Sequence, residues 1–316
     1  MTRKHTLTLL LLTALLTLST ACIRVEYDDC PPLRLQVVVK DKNYYNVNKV
    51  DLEDARPEDL PFRDYVPNLT YTVRNASTGE TVAEKTLFDV PDGITIYEIE
   101  LPEDLPFGNY TVDVWGGLAD DEPLGTKGLP LHPDGIVGGD PYHVHQSLTY
   151  DYRHATYTLE MERVKGKLII ETEHLPLVAT QSDNTITQIR TFCAPNFVYS
   201  GVQTLARHSD WTEQSIVGGA TQSATTQDVA EYKVWKTILA PSTADKATIL
   251  KLNFKDEAGT LLERILPKDV NITMNRNALT VLRYVWAWIP EEQKYDWTIY
   301  ILIDDNWEVI HEMIVD

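Results

Sequence analysis

The residue with the plainest chemistry is Cys22. It follows Leu18-Ser-Thr-Ala21, and ahead of that lies an apolar run, Leu7 to Leu18, broken only by Thr8, Thr13 and Thr17. Arg3 and Lys4 supply a short positive start. A run of about a dozen residues is too short to span a bilayer and suits the apolar stretch of a signal peptide. Ala21 is small enough to sit beside a diacylated cysteine, so residues 1–21 read as a lipoprotein signal peptide and Cys22 as the lipidation site. Ser19 stands where Leu, Val or Ile is usual, which leaves ordinary signal cleavage after Ala21 as the alternative. Several buried acyl chains, at roughly 0.8 kcal/mol per methylene, hold a protein firmly on a membrane.

The other reactive side chains form no catalytic set. The chain has no Gly-x-Ser-x-Gly elbow, no phosphate-binding glycine loop and no His-Glu-x-x-His. Acids are paired at Asp28-Asp29, Asp120-Asp121, Glu291-Glu292 and Asp304-Asp305. Neighbours on a strand point to opposite faces, so such pairs do not converge on one substrate. His143-Val-His145 would share a strand face, as two metal ligands must, but no third ligand can be named, and the pair reads as two exposed strand histidines. Cys30 and Cys193 are left either to pair in an oxidising compartment or to stay free. Tyr284, Trp286 and Trp288 share one strand face, where they serve either as core or as a platform for sugar rings; the core is the expectation. No enzyme, metal or cofactor is expected.

The elements that must carry these residues are strands. Leu33–Val39, Leu69–Val73, Thr81–Phe88, Ile94–Leu101 and Tyr110–Trp115 alternate apolar and polar residues. Strands are also read at Thr156–Met161, Leu168–Thr172, Ile186–Phe192, Asn196–Tyr199, Tyr232–Leu239, Ala247–Phe254 and Leu261–Leu266, then at the long aromatic run Leu279–Ile289, at Trp297–Ile303 and at Trp307–Val315. Strand pattern also resumes at Tyr142. Alternation broken by Gly, Pro, Asn and Asp is the mark of antiparallel sheets with one buried face. A short helix is placed near Val50 to Leu60, and loops at residues 119–141 and 206–230. The expected class is all-β, two β-sandwiches in tandem. The divisions are 1–21 signal peptide, 22–32 acidic tether, 33–152 first sandwich and 153–316 second.

The formal charge of −19 becomes −21 once residues 1–21, with their two cations, are removed. So acidic a chain repels nucleic acid and gains nothing from anionic lipid.

The chain resembles the anchor-type accessory subunits of the fimbriae of Bacteroides-type bacteria, the FimB-like or minor-fimbrium anchor family. The resemblance is carried by Cys22, by Asp28-Asp-Cys-Pro-Pro32 leading into the first strand, and by Gly108-Asn-Tyr-Thr-Val-Asp-Val-Trp-Gly-Gly-Leu118. The strand order from Ala247-Thr-Ile-Leu through Leu279 to Trp307-Glu-Val-Ile310 agrees as well. It implies two transthyretin-like sandwiches, no enzyme activity, and fimbrial shaft subunits as partners, joined by strand addition. It also implies a place on the outer membrane, held through lipid at Cys22 and exposed at the cell surface, for which Glu26, Asp28 and Asp29 resemble an export signal. Shaft subunits of this kind lose their first strand to an arginine-specific protease, which makes Arg63 the matching bond here, since Arg56 precedes Pro57. Cutting there would leave the first strand as the only link between body and lipid, so an anchor is expected to stay uncut and to offer Trp307–Val315 instead. A surface glycan-binding lipoprotein is the alternative reading.

Overall fold

Strands dominate the chain because β-branched and aromatic residues alternate with polar ones over short spans closed by turn residues. The structure, a computed structural model, describes residues 31–118, 140–174, 177–178, 188–194, 197–200, 204–207, 222–223, 232–239, 241–242, 247–255, 258, 260–303 and 306–310. Cys22, Cys30 and most of the loops expected at 119–141 and 206–230 lie outside these residues.

The first half holds β1 (Arg34–Val39), β2 (Asn68–Asn75), β3 (Thr81–Asp89), β4 (Tyr97–Glu98), β5 (Gly108–Gly116), β6 (Tyr142–Tyr150) and β7 (Thr156–Arg163). Their hydrogen-bonded order is β3-β2-β5-β6-β7-β1-β4. One contact in that order is slight, since β6 meets β7 only at Tyr142↔Arg163 and His143↔Glu162. The strands therefore fold over at that corner into two layers, β3-β2-β5-β6 facing β7-β1-β4. Leu35, Val37, Leu159 and Met161 from one layer meet Leu69, Val73, Val112 and Val114 from the other in a single core. The junction expected near Tyr152 falls between β6 and β7, both of which belong to these sheets.

The second half holds β8 (Gly166–Glu173), β9 (Gln188–Ala194), β10 (Phe197–Ser200), β11 (Thr204–Arg207), β12 (Gln222–Ser223), β13 (Tyr232–Leu239), β14 (Thr248–Lys255), β15 (Val270–Ile272), β16 (Leu279–Ile289), β17 (Lys294–Ile303) and β18 (Asn306–Val309). They make a four-stranded sheet, β12-β9-β14-β15, a five-stranded sheet, β13-β8-β16-β17-β18, and the small pair β10-β11. Leu250, Leu252 and Phe254 of the first sheet pack on Leu168, Leu282, Tyr284 and Trp297 of the second. The all-β sandwich class holds in both halves, and Leu33–Asp316 forms one compact unit.

Three local expectations change. No helix spans Val50 to Leu60; a single 3-10 turn, Val47–Lys49, precedes it and a one-turn helix α1 (Phe62–Tyr65) follows. Pro57 and Pro61 lack the amide donors that a helix through this stretch would use. Ile94–Leu101 alternates throughout, yet only Tyr97 and Glu98 pair as a strand, because the segment lies at a sheet edge with β1 as its one neighbour. Leu261–Leu266 contains the 3-10 turn Glu263–Ile265, where the three-residue repeat brings Leu262 and Ile265 to the same buried side. β15 has just three residues, too few to show a period.

Trp115 closes a strand end, as its position before two glycines suggests. A Cβ on Gly116 would lie 2.7 Å from the Asn68 carbonyl, and Gly117 turns the chain out at φ +68°. Both positions need glycine, for different reasons.

Candidate assembly interface

β1, the first described strand, is held along both edges. β1 runs parallel to β7 in six register pairs from Arg34↔Thr156 to Val39↔Met161, and its other edge meets β4. The ladder is extended at both ends, where Arg34 N–H donates to Ala155 O at 2.7 Å and Lys40 N–H to Met161 O at 3.0 Å. Leu33, Leu35, Val37 and Val39 are all buried. At about 1.5–3 kcal/mol each, these four side chains contribute about 6–12 kcal/mol, comparable with the whole stability of a typical domain.

From β1 the chain runs as a strap onto the other half. Tyr44, Val47 and Val50 are buried against Ile169, Leu279 and Val281, on the outer face of the five-stranded sheet. The Glu53 carboxylate lies between Lys167 Nζ, at 2.6 Å, and Lys236 Nζ, at 2.8 Å. Burial opposes ionisation of Glu53, but these two ammonium groups outweigh it and hold the carboxyl below the ordinary range.

Arg63 lies where the strap returns to the first sandwich. Its guanidinium is 2.7 Å from the Asp92 carboxylate, at the surface. The Arg63–Asp64 peptide bond is part of α1, between the buried side chains of Phe62 and Tyr65. Phe62 N–H donates to Ile94 O at 2.7 Å and Val66 N–H to Phe62 O at 3.0 Å. Arg56 donates to Asp64 O at 3.2 Å, on the far side of that bond. Arg56 is itself clamped, because the Asn43 side-chain amide donates to its carbonyl and accepts from its N–H, at 3.0 and 2.8 Å. A protease binds its substrate extended, so cutting here first requires this turn to open and both aromatic rings to leave the core.

The C-terminal segment has the opposite character. β18 closes one edge of the five-stranded sheet and, among the described residues, pairs with β17 alone, from Tyr300↔Val309 to Ile303↔Asn306. Ile310 N–H extends the ladder to Ile299 O at 2.8 Å. Val309 and Ile303 are exposed. Trp307 is held by the Arg283 guanidinium, 3.9 Å above its ring, and Arg283 in turn meets the buried Glu171 at 2.7 Å. Residues 311–315, the rest of the expected segment, lie outside the described residues.

The remaining candidates separate. His143 and His145 do share a face, and they share one carboxylate: Asp113 Oδ2 is 3.3 Å from His143 Nε2 and 3.2 Å from His145 Nδ1. His143 is buried rather than exposed, stacked on Trp115 at 4.0 Å between ring centroids. Burial works against the charged form of Asp113, yet the two histidines prevail and depress its pKa. Among the described residues no group of three His, Cys, Asp or Glu side chains is suited to hold a metal ion. The aromatic row divides, since Tyr284 is 0% and Trp286 4% exposed while Trp288 is 50% exposed. Trp286 and Tyr284 contact Trp297, itself stacked on Phe254 at 5.5 Å, so the row starts in the core and ends at the surface. Cys193 lies in β9, opposite Leu250 of β14. Sequence reasoning missed Asn43, Asn46, Arg163 and Asn277; the partner of Asn43 is 13 residues away and that of Asn46 is 233 away, and neither spacing belongs to a motif.

The fold has solved counterparts. An adhesin candidate from Bacteroides ovatus matches 92% of this chain and 98% of its own, with a TM-score of 0.51 at 14% identity. The fimbrial anchor protein Mfa2 from Porphyromonas gingivalis matches 89% of this chain and 100% of its own, with a TM-score of 0.49 at 14% identity. The C-terminally truncated tip fimbrial protein Mfa3 of the same organism matches 85% and 98%, with a TM-score of 0.43 at 14% identity. At such identities the likeness is one of fold. No protein-family model matches the chain, and no curated protein does.

Proposed function

We propose that this chain is a non-enzymatic fimbrial subunit that fixes a fimbrium to the outer membrane. Lipid at Cys22 holds it there, with the tether and body outside the cell. Its two sandwiches are transthyretin-like domains, with the division between them at Val164-Lys165, and it belongs with the FimB-like, minor-fimbrium anchor proteins. Shaft subunits join it by strand addition, and the edge it offers is β18.

The observation that carries this reading is the state of β1. The strand beside the tether is paired on both edges and buried, and the Arg63–Asp64 bond lies in a hydrogen-bonded turn between two buried rings. A subunit that keeps its first strand keeps its link to the lipid. The fold shared with an adhesin candidate supports the same class of role. The glycan-binding alternative asks for an exposed aromatic row, and two of the three rings are in the core.

The test is the protein isolated from its host. Intact mass is expected to show acyl chains at Cys22 and no cleavage at Arg63, with shaft subunits in the same preparation and loss of the protein from whole cells under external protease. A mature N-terminus at Asp64 would overturn the uncut anchor. An acylated, surface-exposed protein that is always alone would overturn the fimbrial role.

A further inference from the structure

The two sandwiches meet at a joint assembled from distant stretches of sequence. At its centre is Arg163, the last residue of β7, almost fully buried. Its Nε donates to Asp140 at 2.9 Å, one terminal nitrogen to Asn277 Oδ1 at 2.9 Å, and the other to the Tyr142 hydroxyl. Its backbone N–H donates to the Asp41 carboxylate at 2.8 Å, and its guanidinium lies 4.1 Å from the centre of the Tyr44 ring. Asp41 immediately follows the β1 ladder and Tyr44 begins the strap.

Asn277 answers from the second sandwich. It adopts φ +52°, a left-handed conformation that asparagine tolerates better than most residues. That turn directs its three polar groups at three different segments. Its N–H donates to Lys165 O at 2.9 Å, on the connector between sandwiches, and its carbonyl accepts from Tyr45 N–H at 3.0 Å, on the strap. Its side chain accepts from Arg163. Next to it, the Asn46 amide bonds both the N–H and the carbonyl of Leu279, at 2.8 and 2.9 Å, and Arg276 meets Glu162 at 2.8 Å. The approach is close enough that a Cβ on Gly166 would collide with the Asn275 carbonyl.

The topology gives this joint a direction. β1 and β7 run parallel, so the N-terminal end of β1 and the C-terminal end of β7 lie at opposite ends of their ladder. A pull between those ends slides the strands and loads all the ladder bonds together. Whatever reaches the far end arrives at Asp41 and Arg163, which are bonded to each other, and passes by connector, strap and side chain to Asn277.

We infer that this joint is a tension-bearing clasp, with Asn277 as the residue on which its routes converge, and that the two sandwiches yield to a pull as one body. The source of the tension rests on the anchor reading above; the joint itself does not. The full chain, held by handles at its two ends in optical tweezers, is expected to release both sandwiches in a single step. Asn277→Ala, which removes the acceptor and disfavours the left-handed turn, is expected to split that release into two steps. Arg163→Lys, which keeps the cation but cannot reach Asp140 and Asn277 together, splits it as well and decides the matter should Asn277→Ala fail to fold. Separate steps in the unaltered chain, or one step in every variant that folds, would overturn the clasp. A clasp that holds in a protein found without shafts would leave the inference standing and remove the anchor reading alone.

Discussion

β1 and β18 are the first and last strands of the described chain, and they are built in opposite ways. β1 has a neighbour on each edge, and its apolar residues are buried. Among the described residues β18 has a neighbouring strand on one edge, β17, and Val309 faces solvent. An extended strand held on one side presents unpaired backbone groups, and an added strand can use them; a strand held on both sides cannot be approached without unfolding. The chain thus has one locked end and one available end. The anchor role proposed above needs that asymmetry, with a permanent link at one end and an assembled one at the other.

The largest effect is expected where the locked end is broken. Val37→Asp places a carboxylate in the first core with no cation to meet it, and is expected to cost about 4 kcal/mol or more. Urea unfolding followed by circular dichroism should show the first sandwich lost, in line with its dependence on β1. A folded Val37→Asp protein of near-normal midpoint would mean that β1 is not locked.

At the available end the expected effects divide. Trp307→Ala removes a ring held under Arg283 and is expected to cost about 1–2 kcal/mol, with the fold retained. Val309→Lys puts a charge on the exposed edge and is expected to change stability by no more than about 0.5 kcal/mol. If shafts dock on β18, Val309→Lys abolishes their co-purification all the same, since an edge lysine is a common guard against strand addition. Undiminished shafts on the Val309→Lys protein would move the contact elsewhere.

A smaller effect depends on pH. Asp113 has its pKa depressed in the folded state, burial opposing and His143 and His145 enforcing the charge. Its contribution is therefore complete above the unfolded value of about 3.9 and is lost as pH falls through the lower, folded value. Asp113→Asn is expected to lower stability at neutral pH and to flatten the acid side of the curve below about pH 4. An acid limb unchanged by the substitution would show that the carboxylate between the two histidines contributes nothing.

The strands at both ends are visible in the sequence, because Leu33–Val39 and Trp307–Val315 both read as strands and a sandwich follows from many such runs. The difference between them is not visible. Alternation records which face is buried, whereas the number of neighbours along an edge is decided by strands more than a hundred residues away, as β7 is from β1. The same limit hides the joint. Asn46 and Leu279, or Arg163 and Asn277, are paired only by the folded path, and neither asparagine belongs to a motif. Arg63 was legible as a residue and not as a context, since the turn around its peptide bond uses Ile94 and Arg56. Gly166 gives the reverse case: in Lys165-Gly-Lys167 it reads as an interruption, yet it begins β8, where glycine allows the close approach of the Asn275 carbonyl.

The smallest expected effect separates the fimbrial reading from its alternative. Trp288 is half exposed at the end of β16, with Tyr295 set edge-on to it at 5.3 Å between centroids. Sugar-binding surfaces work by stacking several rings, and here the next two members of the row, Trp286 and Tyr284, face the core. One half-covered ring gives too little stacking area to hold a polysaccharide. Trp288→Ala is accordingly expected to leave shaft co-purification intact, and isothermal titration of the unaltered chain with polysaccharides to give no heat of binding. Heat that disappears in Trp288→Ala would show that the exposed end of the row is a glycan site, and β18 would then need a partner of its own to remain the docking edge.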